Sequence, residues 1–463
     1  MLPRLLTLTL LTLTLTALHL PAMDHNAQLL HRLDFAATLL HEQNSDAGQQ
    51  AIAGDLRIGD LDGDGSIEFL VYRSRGGAVA NEGLKPCWMA AVKQDGSILW
   101  QDGAGGLQPT RPGPVLVHDI DHDGRDEVIC LFTRGAAPGP ATALNDVVVQ
   151  IRDGATGAVR KESAPQVITE RAGEGANWVH QRLLACDLRG TGHPRDLVIK
   201  LGDTLVALDD ELAVLWHWQC RWTQYGKCPA YIPAVGDLTG DGRDEVLGGY
   251  FILNGDGTPR WQQQLAPNMD SVSVEAWDDG RPRAIASGGG HVLDADGGPV
   301  VALGTKLVPH GQEARVGRFA ANKPEPHMVI RWNGHHGDAI TVATDGTIAK
   351  RFMLNDSHNH TGMETVRWHG ASGPDLLFNG GWLWNPITGT GAPLPDLPAA
   401  WDKAPGRMAW WHAIPVDCNG NGREELVVYD PWRGSVFIYG HADASTGPGF
   451  VRSPRTHNAR LMD

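Results

Sequence analysis

Carboxylate oxygens recur at alternate positions in a nine-residue segment that the chain carries five times, most plainly as Asp60-Leu61-Asp62-Gly63-Asp64-Gly65-Ser66-Ile67-Glu68. The other copies begin at Asp119, Asp187, Asp237 and Asp417. Oxygens at the first, third and fifth positions, a backbone carbonyl at the seventh and a carboxylate at the ninth make the ligand set of a hard cation such as Ca²⁺, and the glycines permit the tight turn. The expected ligands are Asp60, Asp62, Asp64 and Glu68; Asp119, Asp121, Asp123 and Glu127; Asp237, Asp241 and Glu245; and Asp417, Asn419, Asn421 and Glu425. The copy at Asp187 has Arg189 and Arg195 at ligand positions and is expected to hold no metal.

A second set of residues suits proton transfer and sugar binding. It comprises Trp178 and His180, Lys227 and Tyr231, Asp270, His310 with Gln312 and Glu313, His358 and His360, Glu364, and Trp410, Trp411 and His412. Arg331, His335 and His336 join them from neighbouring loops. Imidazole exchanges protons near neutral pH, and flat aromatic faces stack on sugar rings. His358 and His360, two apart on an extended segment, point the same way and have two readings. With His310 or His412 they hold an ion, Mn²⁺ or Zn²⁺ in preference to Ca²⁺, or they hydrogen-bond sugar hydroxyls.

The elements that must position these groups are strands. Each acidic loop runs into a strand with a small–acidic–aliphatic–aliphatic start, and eight such starts can be followed, from Glu68 to Glu425. Seven intervals over those 357 residues give a mean period of 51, the length of a four-stranded blade. Asp-Gly turns such as Asp95-Gly96 and Asp256-Gly257 sit between further strand pairs, several closing on Trp. The expectation is an all-β, single β-propeller over residues 51–440, with eight four-stranded blades and seven as the alternative. Leu33–Leu40, within an N-terminal segment of residues 23–50, is expected to supply the ring-closing outer strand. Residues 441–463 read as a poorly ordered surface tail. Antiparallel reversal places the acidic loops and the short hairpins on one face, and the histidine-bearing connections on the other, around one central funnel.

Composition narrows the field. The formal charge is −15; four loaded loops would add eight positive charges and bring it to −7, so much of the acidity is metal-binding. No basic stripe and no phosphate-binding glycine loop is present, which argues against nucleic acid as a partner. The first 22 residues resemble a secretory signal, Met23 being the alternative start, so the protein is expected to be secreted or periplasmic. No later stretch reads as a membrane span, and a monomer is expected. Of the six cysteines, Cys220 and Cys228 are the candidate disulfide, free thiols the alternative.

The Gly-Asp-Leu-Asp-Gly-Asp-Gly repeat beginning at Gly59, its copy at Gly236, the Asp-Gly hairpins closing on Trp and the polar loops before the inner strands together resemble the rhamnogalacturonan lyases of polysaccharide lyase family 11. The resemblance spans most of residues 50–440. It implies an eight-bladed, calcium-rich propeller acting on the pectin backbone, hence an acidic polysaccharide or oligosaccharide as partner. FG-GAP-type repeats of this kind also occur in integrins and adhesins, and blades five to seven have lost the calcium acids.

β-Elimination from a uronic acid requires a cation at the C6 carboxylate, a base for the C5 proton and an acid for the C4 oxygen. Arg331, Lys227 or an ion on His358 and His360 suits the first task, His310 or His180 the second, and Tyr231 the third. A glycoside hydrolase using Asp270 with Glu364 or Glu313 is a second reading, and a glycan- or protein-binding propeller without turnover a third.

Overall fold

The computed structural model describes residues 25–35, 55–75, 85–103, 115–133, 147–173, 182–220, 230–321, 325–355, 362–399, 411–431, 433–443, 447 and 449–458. Eight four-stranded antiparallel sheets follow one another along the chain. Their inner strands are Asp55–Gly59, Val115–His118, Arg182–Cys186, Ala234–Gly236, Val272–Ala276, Glu313–Gly317, Glu364–Val366 and His412–Val416, each touching the next around a ring. The fold is the expected eight-bladed propeller. No helix among the described residues is long and apolar enough to cross a membrane.

The ring closes with a strand from the opposite end of the chain. Ala27–Asp34 pairs antiparallel with Ser435–His441 as the outermost strand of blade eight, and the Ser435 hydroxyl donates to Asp34 Oδ1 at 2.6 Å. It lies six residues before the expected Leu33–Leu40. Its inward face alternates as Ala27, Leu29, His31 and Leu33. His31 breaks the apolar pattern because its Nε2 is satisfied by the Gln94 carbonyl of blade one, at 2.9 Å.

Apolar packing lies between blades. Leu56, Ile58, Phe69 and Val71 of blade one bury against Ile414, Val416, Val427 and Tyr429 of blade eight. Tryptophans at outer strands lock neighbours together: Trp100 donates to Gly154 O at 2.7 Å and Trp216 to Gly255 O at 2.8 Å. Gly157 has φ 71°, and a Cβ there would lie 2.4 Å from the Trp100 ring, so this turn needs glycine twice over.

A reciprocal backbone clamp also joins blades on the acidic-loop face. Asp60 N donates to Asp126 Oδ2 at 2.6 Å, while Asp126 N donates back to Asp60 O at 2.9 Å. The same exchange links Asp187 with Asp244, Arg318 with Asp375 and Arg367 with Glu424. It persists in blades six and seven, where the first loop acid has become Arg318 or Arg367. The acid ahead of the second strand therefore ties blades together whether or not its loop suits a cation.

Residues 449–458 cross the acidic-loop end of the ring instead of trailing as loose surface chain. Phe450 N and Val451 N donate to Gly65 O and Asp417 O. Arg452 Nε reaches Asp126 Oδ1 at 2.8 Å, and Arg455 contacts the Thr365 carbonyl and Glu424. The Asn458 side chain makes both a 2.9 Å and a 2.8 Å bond with the backbone of Ala185. The strap thus anchors on blades one, two, three, seven and eight. Ending the chain at residue 447 is expected to cost on the order of 2–4 kcal/mol, the worth of a few such bonds, and to lower the thermal midpoint. An unchanged midpoint would show that the strap bears no load.

Cys220 is disulfide-bonded. Cys228 lies outside the described residues. Cys130 and Cys186 are free and buried.

Candidate active site

Each inner strand starts at the face opposite the acidic loops. Asp55, Arg182, Glu313 and His412 stand at one equivalent register position in blades one, three, six and eight, and Glu364 of blade seven stands two residues deeper, level with Arg57 and Arg315. Charged groups of this kind are rarely buried unless paired, and Asp55, Glu313, Glu364 and His412 each have a partner on the same or an adjacent blade.

Two carboxylate–imidazole pairs stand at this mouth. Asp270, fully buried just ahead of the blade-five inner strand, meets His310 Nε2 at 3.1 Å across the junction with blade six. Backbone bonds fix both: Asp270 O accepts Ile232 N, and His310 N donates to Trp332 O. The second pair joins blades one and eight, Asp55 Oδ1 against His412 Nδ1. Asp55 also accepts the Tyr72 hydroxyl at 2.6 Å and lies 3.7 Å from Arg57. Burial pushes the Asp55 carboxyl upward. The charge and hydrogen bond of His412, then Arg57 and Tyr72, outweigh it and hold the carboxyl at about 2.

Between the two pairs runs a chain of ions. Glu313, 0% exposed, contacts Arg331 Nε at 3.2 Å and Arg315 Nη2 at 3.3 Å and accepts Met363 N. Arg315 continues to Glu364 Oε1 at 3.0 Å. Blades five to eight and blade one therefore each contribute polar groups to an arc at the mouth, ion-paired between blades six and seven. His335 stands edge-on to His310 with ring centres 6.0 Å apart, and His336 is exposed beside it. Gln312 is buried, its backbone N on Arg331 O. Tyr231 lies under the Lys200 ammonium, 5.6 Å from its ring.

Some expected roles change on this geometry. Arg331 is wholly buried on Glu313, so its charge is not available to a substrate carboxylate. Trp411 is 6% exposed and packs with Trp368, Leu383 and Leu394 in the core between blades seven and eight, which removes it as a stacking platform. The hydrolase pairing loses its free carboxylates: Asp270 is taken by His310, Glu313 by two arginines and Glu364 by Arg315. The His310 and His412 nitrogens facing Asp270 and Asp55 are likewise not open to an ion. Trp178, His180, Lys227, His358, His360 and Trp410 lie outside the described residues.

Asp55 escaped the sequence reading because a lone acid at a strand start looks like ordinary solvated chain. The usable signal was Asp55-Leu56-Arg57 recurring as Glu313-Ala314-Arg315 at the same place in another blade.

On the opposite face, two acidic loops gather their oxygens. Those of Asp60, Asp62 and Glu68, and those of Asp119, Asp121 and Glu127, lie within 4.8 Å of one another. Lys93 bridges Asp62 and Asp64, and Arg160 bridges Asp121 and Glu127, cationic side chains drawn to the charge a metal ion would meet. These clusters can bind a metal ion. Among the described residues, the loops at Asp237 and Asp417 do not bring three acidic oxygens so close. In the loop at Asp187, Arg189 lays its guanidinium on Asp196 at 2.7 Å and on Asp210.

No family model matches the chain. Rhamnogalacturonan exolyase YesX of Bacillus subtilis (strain 168) is 26% identical over 268 residues, covering 50% of this chain and 43% of the relative. The endolyase YesW of the same organism is 24% identical over 269 residues, covering 50% and 42%. The resemblance is to rhamnogalacturonan lyases. The chain's match spans under half the length of these curated relatives. A rhamnogalacturonan lyase PL11 of Bacillus licheniformis superimposes with a TM-score of 0.64 at 16% identity, over 88% of this chain and 74% of that one. The Vibrio cholerae biofilm matrix protein Bap1 shares the fold at a TM-score of 0.56 and 14% identity, over 93% of each chain. Likeness at such identity speaks for the fold alone.

Proposed function

We propose that this chain is a secreted or periplasmic polysaccharide lyase that cleaves a rhamnogalacturonan-like uronic-acid polymer by β-elimination at the histidine-bearing mouth. The observation that carries the reading is the buried Asp270 carboxylate against His310 Nε2. It fixes the tautomer, the proton on Nε2, and leaves Nδ1 without a protein partner among the described residues, available to take the C5 proton. The electron pair of the C5–H bond then forms the C4=C5 double bond as the C4–O4 bond breaks. With Arg331 spent on Glu313, Lys227 is the sequence candidate for the cation at the C6 carboxylate. His335 and His336 are the proposed binders of sugar hydroxyls, and the burial of Gln312 withdraws it from that role. The sequence likeness to the Bacillus lyases supports the substrate class.

The test is incubation with rhamnogalacturonan and other uronic polymers. A rise in ultraviolet absorbance from the unsaturated product is expected. Reducing ends without that absorbance would indicate hydrolysis, and binding without released oligosaccharide a non-catalytic propeller.

Ca²⁺ is the proposed ion of the acidic loops, where it would neutralise crowded carboxylates and brace blades. Burial, then the neighbouring acids, pushes the Glu68 carboxyl to about 7, and burial with Asp121 pushes Glu127 to about 8. Both folded values exceed the ordinary 4.5. The associated stability is thus fully present below that value and is lost as pH rises through 7 to 8. Chelated protein is expected to lose thermal stability between about pH 5 and pH 8, and Ca²⁺ to raise the midpoint more at pH 8 than at pH 5. An equal rise at both would contradict a metal role for these acids.

A further inference from the structure

We propose that His412, held by Asp55, is the proton donor to the leaving O4 oxygen, with Asp55 as its positioning residue; this rests on the lyase reading. Elimination needs two proton-transfer groups. In a galacturonate ring O4 is axial and the C5 hydrogen lies on the opposite face, so the base and the acid must approach from two sides. His310 leads into blade six and His412 opens blade eight, with Glu364 of blade seven between them. Tyr231, the sequence candidate for the acid, instead lies beside the base, since Ile232 N next to it bonds the Asp270 carbonyl.

The surroundings of His412 are built to hold one ring orientation. Asp55 is 0% exposed and locked by Leu56 N at 2.8 Å and the Tyr72 hydroxyl at 2.6 Å, so its carboxylate cannot swing away from Nδ1. Arg57 lies beside the pair, and the Tyr429 ring stands edge-on to His412 at 6.1 Å. Nδ1 carries the hydrogen that Asp55 accepts, and Nε2 has no protein partner among the described residues. Nε2 is therefore the nitrogen that gives its proton to O4 as the C4–O4 pair departs, and regains one from water afterwards. A buried carboxylate behind an imidazole is the arrangement by which proton-transferring histidines are oriented. In the sequence, His412 reads as a sugar binder or as the third ligand of an ion on His358 and His360.

The full chain tests this through kinetics of unsaturated-product formation. His412→Ala is expected to lose about 100-fold or more in kcat with KM moved less than about threefold, and added imidazole to restore part of the rate. Asp55→Asn is expected to lose about tenfold or more in kcat without rescue by imidazole, because its own ring remains in place but is misdirected. Tyr231→Phe is expected to lose far less in kcat than His412→Ala. A raised KM with unchanged kcat for His412→Ala, or a Tyr231→Phe variant that loses at least as much kcat as His412→Ala, overturns the assignment while leaving the lyase reading intact. Wild-type protein that forms no unsaturated product overturns both. Should His412→Ala fail to fold, His412→Gln with matched unfolding midpoint carries the same comparison.

Discussion

His310→Ala is expected to lower kcat for unsaturated-product formation by about 10²- to 10⁴-fold, the worth of a positioned proton-transfer group. The ring is partly exposed, but its loss also takes the imidazole from the fully buried Asp270, so the thermal midpoint is expected to fall and kcat is compared at a temperature where both proteins are folded. Asp270→Asn should act in the same direction by a different route. The amide cannot accept the Nε2 proton with the same strength and offers the ring a donor instead, which favours the wrong tautomer. Steady-state kinetics on a uronic polymer checks both. Full activity in His310→Ala would remove it as the base.

Arg331→Leu is expected to destabilise the fold by about 3–5 kcal/mol, read as a shift in the urea midpoint. Glu313 is completely buried, and removing Arg331 leaves it the Met363 N–H and one cation, Arg315, which Glu364 already shares. The cost arises from a buried carboxylate stripped of a partner, so the double variant Glu313→Gln with Arg331→Leu should recover part of the loss. A single variant as stable as wild type would show that the ion chain is not needed to hold the polar arc.

How much of this was legible beforehand depends on what each residue answers to. The acidic loops and the 51-residue period are local signals, repeated along the chain, so eight blades with seven as the alternative followed from the period, and the facing of the loops from strand reversal. The ring-closing strand was displaced because His31 looks polar in the pattern and finds its partner only on blade one. Asp126 reads like another calcium-loop acid, yet it clamps the preceding blade through Asp60 N. Trp411 reads like a sugar platform, yet it fills the core between two blades. Of the expected mouth residues, Asp270, His310, Glu313, Glu364 and His412 come from four blades, while Trp178, His180, Lys227, His358, His360 and Trp410 lie outside the described residues. Which carboxylate faces which imidazole was not legible, because Asp55 and His412 are 357 residues apart in the chain and meet only when the ring closes.

The most direct measurement of the central claim is the imidazole NMR spectrum during titration with a galacturonate-containing disaccharide. Saturable shifts of the His310 and His412 ring signals with one common midpoint are predicted, with His122 and His193, in the loops of the other face, unmoved. Shifts confined to His122 and His193, or different midpoints for His310 and His412, would contradict a single working mouth.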